Sequence, residues 1–251
     1  MKVITSMTQE YYENKGGRKC VESFIKNWPE DIRLTVYWEG PGRPRESERI
    51  KWARMDEVEH LPEFLENISK FPLMSGHYGD RYNIEYDARM CRAGFIHAHA
   101  MTEGKVFWID ADMITHSPIS KDFLNQILPD DKLCCCLMRE HFNTETGFLG
   151  MNSDHPLAEE WKHWWVNVYL SGAIFTQKGW HDNWGFDLAR KLFNHPEVFN
   201  DLAKDLPKGV MHPLINSSLG AYFDHLKGKR KNGKSSKSDL VVERKEPYWN
   251  D

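Results

Sequence analysis

The sequence predicts an α/β fold built around a mostly parallel sheet, and three stretches carry that expectation. "KVITSM" and "IRLTVYWE" are β-branched runs of strand character. Between them "GGRKCVESFIKNW" sets Val21, Phe24, Ile25 and Trp28 at helical spacing. Strand, helix and strand in that order make a βαβ unit, whose two strands run parallel. Further on, "VFWIDAD" is an apolar run closed by two acids, Asp110 and Asp112. In an open α/β sheet, the carboxyl end of a strand is where ligands bind.

The elements follow in chain order. Pro29 ends the first helix, and "GPGRPRESER" after the second strand is a loop. "DEVEHLPEFLENISKF" is helical, with Pro62 near its start, and "MSGHYGDRYN" is a loop. "IEYDARMCRAGFIHAHAMTEG" is a long helix stopped at Gly104, leading into the strand "KVFWIDAD". "KLCCCLMR" and "TGFLGMN" are strands. "HPLAEEWKHWWVNVYLSG" is an amphipathic helix with Leu157, Trp161, Trp164, Trp165 and Val168 on or near one stripe. "HDNWGFDLARKLFNH" is another helix, "GVMHPLINS" a short strand or loop, and "HLKGKRKNGKSSKS" an irregular basic tail. No internal repeat and no linker interrupts the pattern. The expectation is therefore one domain over residues 1–251, with halves at 1–112 and 113–251.

Composition narrows the partners. A net charge of −4 does not advertise a nucleic-acid binder, although a local basic patch can still act. No stretch approaches the roughly 18 to 20 apolar residues that span a bilayer, and the polar start does not read as a signal peptide. Five cysteines, three of them consecutive, read as free thiols of a reducing cytosol. The expectations are a cytoplasmic protein, no membrane association and no obligate protein partner.

The two acids raise the chemical question. Carboxylates this close repel and resist burial unless a cation or strong hydrogen bonds compensate them. In extended chain, i and i+2 point to one face, which would make a hard oxygen site for Mg²⁺ or Mn²⁺. The alternative is a solvated strand end with a capping Asp, and the tripeptide alone does not choose. Downstream stand His225, Gly228 and Lys231; a His can supply one more metal ligand, a Gly lets backbone approach a phosphate closely, and a Lys brings it a point charge. Six basic residues lie between Lys227 and Lys237 with no acid among them, which is also how a solvated tail looks.

"VFWIDADMITHSPI" resembles the DxD strand of GT-A nucleotide-sugar glycosyltransferases. "HLKGKRK" is similar to the HxxGxxK element of the glycogenin-like and bacterial galactosyltransferase-like family. "TGFLGMN" resembles that family's sugar-facing strand, and "HDNWGFD" lies where it carries a D-Q pair. Asn183 stands in place of that Gln, and no Pro-Trp follows Lys231. The resemblance implies a GT-A fold, a mostly parallel sheet flanked by helices, and a Mn²⁺ or Mg²⁺ held by Asp110, Asp112 and His225. It also implies phosphate contacts from Gly228 and Lys231, a sugar pocket shaped by Gly147 and Asn152, and Asp182 at the acceptor hydroxyl or reaction centre. Thr5 and Tyr11 are expected at the nucleotide, and Arg89 or Arg92 at donor oxygens. Trp180 and Trp184 are candidates to stack on the acceptor.

The function so implied is transfer of a sugar from a nucleoside-diphosphate sugar, UDP-linked by analogy, to a hydroxyl. A sharper expectation takes the acceptor to be DNA with a hydroxymethylated base, as in enzymes of bacterial viruses, because a lysine-rich loop can reach a phosphate backbone. Polysaccharide or protein acceptors, and a catalytically inert nucleotide-sugar-binding module, are the alternatives.

Overall fold

The structure, a computed structural model, describes residues 1–68, 84–227 and 235–250, with the side chains of 84–89 outside that description. Its frame is a seven-stranded sheet in the order β3-β2-β1-β4-β7-β6-β8. β1 (Lys2–Thr8), β2 (Leu34–Glu39), β3 (Ile50–Arg54) and β4 (Lys105–Ile109) run parallel. β7 (Glu145–Asn152) is reversed against both β4 and β6 (Cys134–Leu137), and β8 (Phe199–Asp201) pairs parallel with β6. The reversal has a functional consequence. It brings the start of β7 to the edge of the sheet where β4 ends, so Ile109 faces Phe148. Strands from before and after residue 112 share this one sheet.

Helices cover both faces, which explains why β4 and β7 are buried along their whole length. On one face, α3 (Leu61–Ile68), α4 (Ile84–Ala100), α6 (Ala158–Leu170) and α7 (Asp182–Phe193) pack an aromatic core around Phe64, Phe95, Trp161, Trp165 and Phe186. On the other, α2 (Gly17–Asn27) and α5 (Lys121–Ile127) bury Phe24, Trp28, Phe123 and Leu124 with the later segments. The stripe read for α6 is the buried one: Trp161, Trp165 and Val168 are inside, and Trp164 is only partly buried against the same core.

Several elements depart from expectation. β3 follows the loop after β2; its pattern alternates buried Ile50 and Trp52 with exposed Lys51, too short a run to stand out. Short α1 (Gln9–Asn14) starts where the Thr8 side chain accepts the Tyr11 N–H. "GVMHPLINS" contains a single helical turn, α8 (Pro213–Asn216), opened by Pro213 at its first position. His225 is not in an irregular tail. It ends β9 (Phe223–His225), which pairs antiparallel with β5 (Met113–Thr115) in a separate two-stranded ribbon. A last turn, α9 (Pro247–Asn250), buries Trp249.

Candidate active site

The site begins at the end of β4. Val106 to Ile109 are buried, and the chain then turns at Asp110. The Trp108 indole donates to Asp110 Oδ1 at 2.9 Å, and the Asp110 N–H donates to the Gly147 carbonyl at 2.9 Å. Residues 110–112 are therefore not extended, as the i, i+2 rule assumed. They form a turn closed by the Met113 N–H on the Asp110 carbonyl, and the turn still converges the two acids. The β5–β9 register sets Met113 opposite His225. That puts His225 Nε2 at 3.0 Å from Asp112 Oδ1 and 3.4 Å from Asp110 Oδ2.

His225 is held from behind as well. Ser236 Oγ donates to its carbonyl at 3.0 Å, and the Ser236 N–H donates to buried Asp224. Gly147 gives the ring its space: a Cβ there would lie 2.5 Å from His225 Cε1 and 2.7 Å from Nδ1. On the Nδ1 side lies Glu145 Oε1 at 3.6 Å, and Glu145 is in turn ion-paired with Lys227.

The charges decide each other's state. Burial alone would strip the proton from His225, but Asp112, with hydrogen bonds to both acids, outweighs it and raises the imidazole to about 10. Burial would raise Glu145, yet Lys227 and His225 hold its carboxyl down to about 2. Asp182, buried at the first turn of α7, moves the other way. Desolvation, then repulsion from Asp110, push it up to about 7 against hydrogen bonds from the Thr146 hydroxyl and the Asn183 N–H. One carboxyl is thus fixed as an anion while its neighbour is poised to exchange a proton near neutrality.

Most other candidates read from the sequence lie elsewhere. Thr5 is in the middle of β1 and fully buried. Tyr11 packs its ring side against the α2 face of the core. Asn152 is at the far end of β7, opposite Lys105, and its amide donates to the carbonyls of Asp130 and Lys132. Four residues of strand separate it from Phe148, about 14 Å, so it braces a loop at the opposite edge. Trp180 is core, edge-on to Phe175, and Trp184 packs partly buried against the same cluster, so neither is a free stacking platform. Arg92 pairs with Glu39 at 2.5 Å. The Arg89 side chain, Gly228 and Lys231 lie outside the described residues. Sequence reasoning missed Glu145, Thr146 and Lys227. The signal for the first two was their place just before Gly147, on a strand that had been given to the sugar.

Two concavities lie along the same carboxyl edge of the sheet. A cavity of about 550 Å³ sits at the carboxyl ends of β2 and β3, lined by Trp38, Glu39, Arg43, Arg54 and Arg92 among others. A second, of about 440 Å³, opens beyond β6 and β8 between Arg139 and Arg190.

Asp110, Asp112 and His225 each offer a ligand atom, and the three lie within 4.8 Å of one another. Two carboxylates and one imidazole on a half-open turn make a mixed oxygen and nitrogen donor set that fits a divalent cation. No family model matches the sequence, and no curated protein matches it either. Solved structures do match. Mouse xyloside xylosyltransferase 1 in its apo form superposes with a TM-score of 0.53 at 12% identity, over 80% of this chain and 85% of that one. The apo bifunctional glycosyltransferase WbbM gives 0.50 at 13% identity, over 81% of this chain and 38% of its own. The fold is the GT-A glycosyltransferase fold. Within it, the Asp110–Asp112 turn stands at the carboxyl edge of the central strand of the GT-A sheet, and the reversed β7 supplies Gly147 to the same edge. Among the described residues no helix is long and apolar enough to cross a membrane.

Proposed function

We propose that this protein is a divalent-metal-dependent glycosyltransferase that moves a sugar from a nucleoside-diphosphate sugar, UDP-linked, to a hydroxyl acceptor. The observation that carries it is the convergence of Asp110, Asp112 and His225 at the carboxyl edge of a GT-A sheet. These three residues hold Mn²⁺ or Mg²⁺. When bound, the ion neutralises charge on the departing diphosphate. His225 gives up its proton to become a ligand, so loading releases a proton. The half of the chain before residue 112 takes the nucleoside. The cavity at β2 and β3 lies two to three strands from β4, about 10–14 Å, on the scale of a nucleoside diphosphate. Arg92 sits in its wall. The family resemblance assigns the phosphate contacts to Gly228 and Lys231.

Asp182 works on the acceptor side. Its carboxyl, raised to about 7, is matched to proton transfer near neutral pH. In an inverting transfer it takes the acceptor hydroxyl's proton; in a retaining one it stabilises positive charge at the sugar. The five free, buried cysteines suit a reducing cytoplasm.

The test is release of nucleoside diphosphate from a panel of nucleotide sugars with Mn²⁺, Mg²⁺ or EDTA. Acceptors span simple sugars, polysaccharide and hydroxymethylated DNA. Turnover that requires the ion and disappears in Asp112→Ala is the expected result. Nucleotide binding unchanged by EDTA and by Asp112→Ala, with no donor turned over, makes the protein an inert binding module instead.

A further inference from the structure

The cavity beyond β6 and β8 has a chemistry the donor does not need. Arg139 and Arg190 face it, and Lys204 and Lys208 stand at its rim. Two acids share the wall, and both are engaged: Glu140 by Lys208 at 2.8 Å, and Asp201 by the N–H groups of Met138 and Ala203. Four cations against two acids leave the lining positive in a chain whose net charge is −4.

The two guanidiniums are held with donors to spare. Arg139 has a side chain only 14% exposed. Its Nε donates to the Asn143 carbonyl at 2.6 Å and its Nη1 to the Met211 carbonyl at 3.4 Å, while Nη2 meets no acceptor among the described residues. The ring of Phe142, half-exposed, lies 5.7 Å from its guanidinium carbon. Arg190 is fixed through Nη2 to Asp187 at 3.4 Å, and Asp187 is itself anchored by the Thr144 hydroxyl and N–H. The Arg190 Nε is buried with no partner among the described residues. A buried, unpaired guanidinium N–H is unfavourable and calls for an acceptor. Planar guanidinium pairs carboxylate or phosphate oxygens two at a time.

One wall residue, Arg139, leads from the cavity toward the proposed metal ligands. Arg139 Nη1 is 3.9 Å from Glu145, Glu145 is 3.6 Å from His225 Nδ1, and His225 touches Asp112. Arg190 and Asp182 stand in the last and first turns of one helix, α7, about 12 Å apart along its axis. We infer that this cavity is an acceptor subsite selective for an anionic sugar, one carrying a carboxylate or a phosphate, whose charged group Arg139 and Arg190 bind. This deepens, and rests on, the glycosyltransferase function proposed above. About 440 Å³ is the size of a pocket for one small unit. A duplex would need an extended convex-fitting basic face, and the acids Glu140 and Asp201 interrupt one here.

The test measures binding of glucose, glucuronate and glucose 6-phosphate to the full-length protein by calorimetry, with nucleotide-sugar and Mn²⁺ binding measured separately. The parent, Arg190→Gln, Arg190→Lys and Lys204→Gln are compared, with thermal unfolding confirming that each folds. An anionic sugar bound at least about tenfold more tightly than glucose, with most of that preference lost in Arg190→Gln and partly kept in Arg190→Lys, is the expected result. Equal or undetectable binding of the three sugars by a protein that still binds nucleotide sugar overturns the subsite and leaves the transferase standing. Anionic-sugar binding without nucleotide-sugar binding keeps the subsite and removes the transferase. Loss of both removes both. Tight binding of hydroxymethylated duplex DNA that neither anionic sugar displaces overturns the subsite in favour of a DNA acceptor.

Discussion

Gly147→Ala puts the proposed metal site under the most direct strain. The new Cβ would lie 2.5 Å from His225 Cε1, 2.7 Å from Nδ1 and 3.0 Å from Glu145 Oε1. Carbon atoms rest about 3.5–4.0 Å apart, so the ring must retreat by about 1 Å. It cannot do so freely, because Ser236 and the pairing with Met113 fix its backbone and both acids hold Nε2. Metal–ligand distances tolerate about ±0.2 Å. The displaced imidazole therefore drops out of the ligand set, and Mn²⁺ affinity falls by at least about 10–100-fold, the loss typical even for an outer-shell partner. Overpacking adds about 1–3 kcal/mol of destabilisation. Calorimetric Mn²⁺ titration and thermal unfolding read the two effects. A double-mutant cycle locates them: in a His225→Ala background the added methyl meets no ring, so most of its cost in both assays vanishes. Parent-like Mn²⁺ affinity in Gly147→Ala, or costs that simply add in the double variant, refutes the idea that Gly147 serves by making room for His225.

Three further expectations follow from the same geometry. Asp182 titrates at 3.8 when unfolded and at about 7 in place, so its protonated form is the one that folding favours. The stability it contributes is complete below about pH 4 and is lost as pH rises through 7, by an upper bound of about 4 kcal/mol. In EDTA, the gap in unfolding free energy between Asp182→Asn and the parent therefore widens in the variant's favour from pH 4 to pH 8; a pH-independent gap contradicts the assigned burial. Asn152→Ala removes the brace on the Asp130 and Lys132 carbonyls and costs about 1–3 kcal/mol in urea unfolding, while Mn²⁺ and nucleotide-sugar affinities stay at parent values. All five cysteines are buried, and burial pushes the Cys135 thiol up to about 12, so a thiol reagent labels none in the native protein and five after denaturation.

What could be read from the sequence was what local pattern determines. The βαβ opening, the buried stripe of α6 and the acids at the end of β4 depend on periodicity and on one strand's own ending, and each is found where the pattern put it. What could not be read depends on contacts distant in sequence. β9 is three residues with two buried polar side chains, Asp224 and His225. In this strand Asp224 depends on donors from later in the chain, the Ser236 N–H and the Tyr248 hydroxyl, which both bond its Oδ2. Asn152 was misplaced for the opposite reason. The strand carrying it was recognised but its direction was not, and an antiparallel β7 sends its last residue away from the site and its first residues into it.

That reversal accounts for the site's charge pattern. A parallel β7 would have brought Asn152 to the edge with Asp110; the antiparallel one brings Glu145, Thr146 and Gly147. Each then has a use in the geometry. Gly147 admits the His225 ring and takes the Asp110 N–H. Thr146 bonds Asp182, and Glu145 links His225 to Lys227 and, through Arg139, to the second cavity. Glu145 is held as an anion beside an imidazole that must lose its proton to ligate, and a neighbouring carboxylate on Nδ1 raises the basicity of Nε2. Three consecutive residues of one strand thus contact the two acids' turn, the His225 ring and Asp182.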